Sequence, residues 1–162
     1  YPWATTGRKR GTQHRVITSL DLDSVKMEAH NRHLQEKYRL VEENEVRFEE
    51  IECEDAEYVF VAYGSSARIA QKSVQLARAE GLKVGLLRPI TLFPFPSKAI
   101  QNLIDRGAKG FLAVELSCGQ MIEDVKLAVN GRVKAEHFGR VGGIIHTPEE
   151  VLEAMKKQII GE

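Results

Sequence analysis

The stretch from Val59 to Pro96 decides the fold of this chain, and it reads VFVAYGSSARIAQKSVQLARAEGLKVGLLRPITLFPFP. It opens with a continuous apolar run and a turn of small residues, which lead into a segment with the apolar period of an amphipathic helix. A second apolar run follows, and then a loop of alternating aromatic and proline residues. This order predicts a right-handed βαβ unit that ends in a stiff loop.

The rest of the chain from Cys53 onward repeats the alternation of strand and helix. The sequence predicts strands at residues 58–62, 83–87, 110–115 and 133–138, and helices at residues 66–80, 97–106, 119–129 and 148–160. Gly81 is placed to end the first of these helices, and Thr147 is placed to cap the last one. Because the strands do not alternate apolar with polar residues, we expect an α/β fold, a mostly parallel sheet sandwiched by helices.

The front of the chain, residues 1–52, is different in composition. It carries 9 basic and 10 acidic residues, so it is more solvated than a core would be. We interpret it as an interdomain extension ahead of the α/β domain at residues 53–162. Residues 1–23 read as irregular, and a long helix is expected from an N-cap at Ser24 to about Glu49. Its apolar stripe consists of Met27, Leu34, Tyr38, Val41 and Phe48. We expect the stripe to be buried, either against the following domain or against a partner subunit.

Bulk properties exclude several classes of protein. Lys and Arg number 23 and Asp and Glu number 23, so the zero net charge gives no field that would attract nucleic acid. No apolar run reaches the roughly 18 residues that span a bilayer. The two cysteines, Cys53 and Cys118, form no CxxC pair, which favours a reducing cytoplasm and argues against a zinc or cluster site. Because residue 1 is Tyr, we expect a fragment of a longer polypeptide.

For three candidate sites, a structural role explains the residues better than a functional one. Tyr63-Gly64-Ser65-Ser66 lies where a phosphate could bind, but it matches no phosphate-loop spacing, so a turn with Ser66 as N-cap is preferred. Cys118 precedes a helix, yet the sequence places no base beside it, so a small packed residue is preferred over a nucleophile. His30 and His33 could share a metal, but without further ligands nearby they read as a solvated helix face.

Two loops are more suggestive of contacts with a partner. Glu115 and Gln120 frame the turn after a strand, where they could orient a partner loop or a ligand, or Glu115 could cap the next helix. Arg88 precedes the aromatic loop, in which Phe93 and Phe95 alternate with prolines. Such a rigid aromatic loop either tucks under its own domain or inserts into a partner, and we favour the interface.

Several blocks of residues resemble one known family. They are the segment 59–96, VELSCGQM at 114–121, GRVGG at 139–143 and TPEE at 147–150. Together they resemble the C-terminal part of the α subunit of 2-oxoacid:ferredoxin oxidoreductases, whose domain is similar to the C-terminal domain of transketolases. PWATTG at 2–7, SL at 19–20 and EAHNRHLQEKY at 28–38 resemble the 2-ketoisovalerate (3-methyl-2-oxobutanoate) type.

The resemblance implies a function for the parent complex and a structural one for this chain. The complex would convert a 2-oxoacid and coenzyme A to acyl-CoA, CO2 and reduced ferredoxin, using thiamine diphosphate, Mg and iron–sulfur clusters. Its other subunits would be a β subunit with thiamine diphosphate, a γ subunit and a ferredoxin-like δ subunit. The family places thiamine diphosphate between parts that this chain lacks. We therefore expect no catalytic, cofactor-binding or metal-binding residues in this chain. For the fold, the resemblance also allows one edge strand of the sheet to be antiparallel.

The sequence leaves two other classes open. A transketolase or a 2-oxoacid dehydrogenase E1β-type subunit would use a related domain, and the iron–sulfur partners of the oxidoreductase complex would distinguish the oxidoreductase from both. A free-standing module that binds a small ligand is the third possibility, and binding of thiamine diphosphate or coenzyme A to the isolated domain would reveal it.

Overall fold

A computed structural model of the chain describes residues 4, 7, 10–13 and 16–161. The chain divides into two compact units, residues 1–39 and 40–162. The irregular structure predicted for residues 1–23 falls partly outside the described residues. Its described members form no helix or strand.

The long front helix, α1, runs from Ser24 to Asn44. Ser24 is its first helical residue and not its cap, because the Asp23 carboxylate accepts the backbone N–H groups of Val25 and Lys26 at 3.1 Å each. The helix ends five residues before the predicted Glu49. No residue of α1 is buried, and Phe48 is exposed in β1, so the predicted burial of the stripe within this chain is wrong. Its packing on a partner subunit stays a prediction.

The sheet has five strands in the order β1-β3-β2-β4-β5. The bounds are β1 Phe48–Ile51, β2 Tyr58–Ala62, β3 Val84–Pro89, β4 Gly110–Glu115 and β5 Lys134–Gly139. β2 to β5 are parallel, and only β1 is antiparallel, pairing with β3 at one edge. The mostly parallel fold class and the antiparallel edge are confirmed. β1 itself was missed, and because it belongs to the sheet, the α/β unit begins before the predicted residue 53.

Four helices cover the sheet: α2 Gly64–Ala79, α3 Ser97–Asp105, α4 Met121–Val129 and α5 Pro148–Met155, which a short π-helix, Lys156–Ile160, continues. Thr147 caps α5 in a reciprocal capping box with Glu150, as its position predicted. Ser66, in contrast, is not the cap of α2, because the helix already begins at Gly64 and Ser66 is buried within it.

The core lies on both faces of the sheet, as strands without alternation predicted. On one face Val59, Val61 and Phe111 pack against α3 and α4. On the other face Phe60, Leu86 and Leu112 pack against α2 and α5. β2 is central, and the chain leaves it to β3 on one side and returns to β4 on the other. The carboxyl ends of β2 and β4 therefore form a topological switch point, where open α/β sheets usually bind their ligands.

Candidate functional site

The candidate site is the carboxyl edge of the sheet, where the four parallel strands end. We call it the carboxyl rim and define it as residues 63–66, 90–96, 116–120 and 141–147. These four segments follow β2, β3, β4 and β5, in that order. Of the candidate contacts, Phe93, Phe95 and Gln120 lie in the rim, Glu115 adjoins it, and Arg88 lies two residues before it.

Glu115 lies next to the rim, and its buried carboxylate accepts several hydrogen bonds. Its side chain is 2% exposed, and its carboxylate accepts the backbone N–H groups of Gln120, Met121 and Ile122 at 3.0 to 3.1 Å. The Ser117 hydroxyl donates to the same carboxylate at 3.1 Å. Of the two alternatives for Glu115, the hydrogen bonds therefore support capping of α4. The buried side chain does not reach the surface where a partner would touch it.

His137 lies beneath the same loop. Its Nε2 is 3.8 Å from the Glu115 carboxylate, and this buried nitrogen makes no hydrogen bond within the described part of the chain. A Cβ on Gly139 would collide with the Ser117 carbonyl oxygen and would lie 2.5 Å from the His137 ring. Gly139 is therefore required for the close approach of the β4–α4 loop to β5, which sequence reading alone did not find.

A second polar group lies between β5 and α5. Arg140 makes an ion pair with Glu150, and Glu150 also accepts the Thr147 backbone N–H. These contacts hold the pKa of Glu150 below its usual value; the Thr147 N–H makes the largest contribution, and Arg140 adds to it. His146 stacks near Phe138, with 5.3 Å between ring centroids, and is 4% exposed. Burial lowers its pKa, so the neutral imidazole is favoured.

The two phenylalanines of the aromatic loop differ in exposure. Phe93 is 64% exposed, whereas Phe95 is half-buried against the core cluster on the α3 and α4 face. Arg88 extends from β3 and pairs with Glu49 of β1 at 2.9 Å. Gln120 is exposed at the start of α4. The interface role of Arg88, Phe93, Phe95 and Gln120 stays a prediction.

Sequence reading missed the segment after β5 as part of the site. Val141, Ile144 and Ile145 are all exposed there, and Ile145 is 61% exposed. The available signal was the sequence Gly142-Gly143-Ile144-Ile145, because paired isoleucines after two glycines stand outside any strand or helix period.

The packed position expected for Cys118 is wrong, because its side chain is exposed. Cys53 is buried with a pKa raised to about 11, first by desolvation, so its thiol stays protonated at neutral pH. His30 and His33 are exposed on α1. Within residues 16–161 and the few described before them, no three His, Cys, Asp or Glu side chains gather to hold a metal. None of the described helices is long and apolar enough to cross a membrane.

Comparison with known protein families agrees with this geometry. Residues 56–151 match the model of the pyruvate:ferredoxin oxidoreductase core domain II family. The chain belongs to this family. As a core domain II chain it is 50% identical over 160 residues to the ketoisovalerate oxidoreductase subunit VorB of Methanothermobacter marburgensis. That match covers 99% of this chain and 44% of VorB, so the chain spans less than half the length of this relative.

Other matches are more distant. The 2-oxoglutarate synthase subunit KorA of Methanothermobacter thermautotrophicus is 35% identical to this core domain II chain over 104 residues, which are 64% of the chain and 27% of KorA. Among solved structures, a 2-oxoglutarate:ferredoxin oxidoreductase from Magnetococcus marinus with 2-oxoglutarate, coenzyme A and succinyl-CoA bound superimposes with a TM-score of 0.70. The sequences are 22% identical, and the match covers 85% of this chain and 24% of that one. This likeness shows the fold.

A split-gene transketolase, solved as an inactive beta4 tetramer, superimposes with a TM-score of 0.59 and 16% identity, over 70% of this chain and 41% of that one. It too shows the fold alone. The predicted family resemblance and the transketolase-like fold are confirmed.

Proposed function

We propose that this chain is the C-terminal, non-catalytic part of the α-type subunit of a 2-ketoisovalerate:ferredoxin oxidoreductase. The observation that carries the proposal is the 50% identity to VorB across 99% of the chain. The KorA relative matches at lower identity and over 64% of the chain, which favours a branched-chain 2-oxoacid over 2-oxoglutarate. The parent enzyme would convert 2-oxoacid and coenzyme A to acyl-CoA and CO2 and pass the electrons to ferredoxin in the cytoplasm.

In the parent complex, thiamine diphosphate would supply the carbanion chemistry, and iron–sulfur clusters would carry the electrons. The residues of the carboxyl rim do not fit the Mg–diphosphate group of that cofactor. The rim contains no Asp or Glu, and the adjacent Glu115 carboxylate is already occupied by three backbone N–H groups and one hydroxyl. We therefore assign no reaction step to this chain.

The role we assign is structural: the domain completes the subunit and organises its contacts with the β, γ and ferredoxin-like δ subunits. Two features support this role. The polar groups next to the rim are engaged in capping and ion pairs, as at Glu115 and Arg140. The exposed residues of the rim are largely apolar, which is typical of a surface that becomes covered when a protein is complete and assembled.

Calorimetry on the isolated chain tests the proposal. We expect no heat of binding with thiamine diphosphate and Mg or with coenzyme A, and no decarboxylation of 2-ketoisovalerate. The complete enzyme that contains this chain, measured in parallel as the control, should reduce ferredoxin with 2-ketoisovalerate. A stoichiometric isotherm with micromolar affinity for the isolated chain would reject the structural role in favour of a ligand-binding module.

A further inference from the structure

Charged residues are concentrated at one end of the sheet, the end where the parallel strands begin. The four rim segments contain no Asp, Glu, Lys or Arg, although 28% of the chain is charged. The nearest charge is Arg140, which lies between β5 and the last segment and is paired with Glu150. At the opposite, amino end, the segments that precede the parallel strands are residues 52–57, 80–83, 105–109 and 130–133. Each of them carries at least one charged side chain. The contrast follows the direction of the strands, so it is a property of the folded domain and not of any one loop.

The surface at the amino end of the sheet carries many charged side chains. Its charges pair across loops: Arg78 with Asp55 at 2.8 Å, Lys109 with Glu57 and Arg132 with Asp105 at 2.5 Å each. Pairs of this kind on exposed loops keep a surface soluble and contribute little to stability. This end therefore has the composition expected of a face in contact with water.

The carboxyl rim has the opposite composition. Exposed large apolar side chains occur on the segments after β3, β4 and β5, and the main ones are Ile90, Leu92, Leu116, Val141, Ile144 and Ile145. Single exposed apolar residues are normal, but contiguous apolar patches without charge mark protein interfaces. Depletion of charged residues is also the compositional signal of an interface core.

We propose that the carboxyl rim is the surface on which the remainder of the same subunit polypeptide packs. This inference rests on the proposed function. The chain matches 44% of VorB, so more than half of such a subunit lies outside the matched part. A domain tethered in the same polypeptide has an effective concentration of order millimolar, which no separate subunit matches without a tether. Interdomain surfaces within a chain typically bury about 600 to 1,500 Å² and tolerate polar groups, as the serines and Thr91 of the rim require.

Photo-crosslinking in the complete enzyme tests which polypeptide packs on the rim. A benzoylphenylalanine would replace Ile145 in one variant and Leu127 in the control variant. Leu127 is 77% exposed on α4, six residues beyond the first residue of that helix and thus about 9 Å from the rim end. We expect the Ile145 probe to link to peptides of the same polypeptide outside these 162 residues, and the Leu127 probe to give no such link. Links to another subunit or to a second copy would overturn the proposal.

Alkylation of Cys118, which is exposed on the rim, gives an independent measure of coverage. Iodoacetamide should modify Cys118 roughly tenfold or more slowly in the complete enzyme than in the isolated chain, because coverage limits reaction to transient openings. A cysteine introduced as Leu127→Cys should react equally fast in both. Equal reactivity of Cys118 in both states would also overturn the proposal.

The double variant Ile144→Ser/Ile145→Ser separates assembly from folding. It should leave the melting temperature of the isolated chain unchanged, since both side chains are exposed, and prevent recovery of the complete enzyme. Normal assembly of this variant would count against the rim. The proposed function fails on a different result, namely an assembled enzyme that does not oxidise 2-ketoisovalerate, whatever its crosslinks.

Discussion

Glu115 illustrates how a single buried carboxylate can fix a loop. The first N–H groups of a helix have no partner within the helix, and in α4 the Glu115 carboxylate accepts two of them together with that of Gln120. The negative charge also lies at the positive end of the helix dipole. The loop from Leu116 to Gln120 is thereby held in one conformation, although it contains no long apolar run.

Replacing Glu115 by Ala should therefore be costly. The variant would leave three backbone donors without this acceptor, and we expect about 2 to 4 kcal/mol lower free energy of unfolding, with a smaller loss for Glu115→Gln. Urea denaturation of the isolated chain measures both. The matched control is Glu123→Gln on the exposed side of α4, for which we expect less than about 1 kcal/mol. Equal effects of Glu115→Ala and Glu123→Gln would contradict the capping role.

We expect His146 to make the stability of the chain depend on pH. Burial lowers the pKa of His146 below its ordinary value of 6.5, Arg140 and His137 lower it further, and the Glu115 carbonyl and Glu150 oppose the shift. The folded state thus binds a proton less readily than the unfolded state. Stability should be greatest above pH 6.5 and should fall as the pH decreases from there towards the lowered pKa of the folded state.

The variant His146→Gln removes this titration, so its unfolding free energy should change less between about pH 7 and pH 5 than that of the native sequence. Urea midpoints at half-unit pH steps measure the slope. The depressed pKa of Glu150 acts in a lower window, below its ordinary value of 4.5, and does not mask the effect. The same slope in both proteins would show that His146 titrates normally.

At the scale of elements, the sequence determines the parallel strands well. β2 and β4 have the predicted bounds, and β3 and β5 differ by one or two residues, because apolar runs bounded by turns are local signals. β1 could not be read in this way. The seven-residue apolar period of α1 continues to Phe48, whereas β1 depends on its antiparallel pairing with β3, in which Phe48 lies opposite Pro89 and Ile51 opposite Leu86.

In the candidate site too, residues next to recognisable strands could be predicted, whereas features that depend on the folded arrangement could not. Glu115, Gln120 and the aromatic loop were found because they flank recognisable strands. The sequence left open whether Glu115 caps α4 or meets a partner, because that depends on which donors the fold brings to its carboxylate. The apolar segment at Ile144 and Ile145 was missed, because only the strand order places it beside the loop after β4.

The apolar face of α1 yields a prediction about packing. Leu34 is only half-buried in this chain, so Leu34→Ala should lower the unfolding free energy by less than about 1 kcal/mol. Leu86, in the centre of the sheet, is fully buried, and Leu86→Ala should cost about 2 to 5 kcal/mol. Thermal melts of the two variants make the comparison. A loss of comparable size at Leu34 would mean that α1 is a part of the core.

At the scale of the whole molecule, zero net charge combines with an uncharged rim. A protein without net charge lacks long-range repulsion, so apolar surfaces on different copies can approach one another. The paired charges at the amino end of the sheet do not change this, because they are balanced locally.

The isolated chain should therefore associate weakly near pH 7 and less at about pH 5 or pH 9, where it carries net charge. Static light scattering over this pH range would measure the association. The variant Ile144→Ser/Ile145→Ser should reduce scattering at neutral pH more than Leu127→Ser, which removes an even more exposed apolar side chain away from the rim. Equal scattering from both variants would mean that association does not use the rim.

The antiparallel strand β1 has a consequence for how such association can proceed. An open sheet can recruit further strands at its edges and grow into fibrils, a hazard that proteins limit with short, charged edge strands. β1 is four residues long and carries Glu49 and Glu50, and β5 at the other edge carries Lys134 and Glu136. A strand from another copy would have to bury these charges, so both edges resist templated growth. Clustering of this domain should therefore stay reversible and non-amyloid even when it is separated from its subunit.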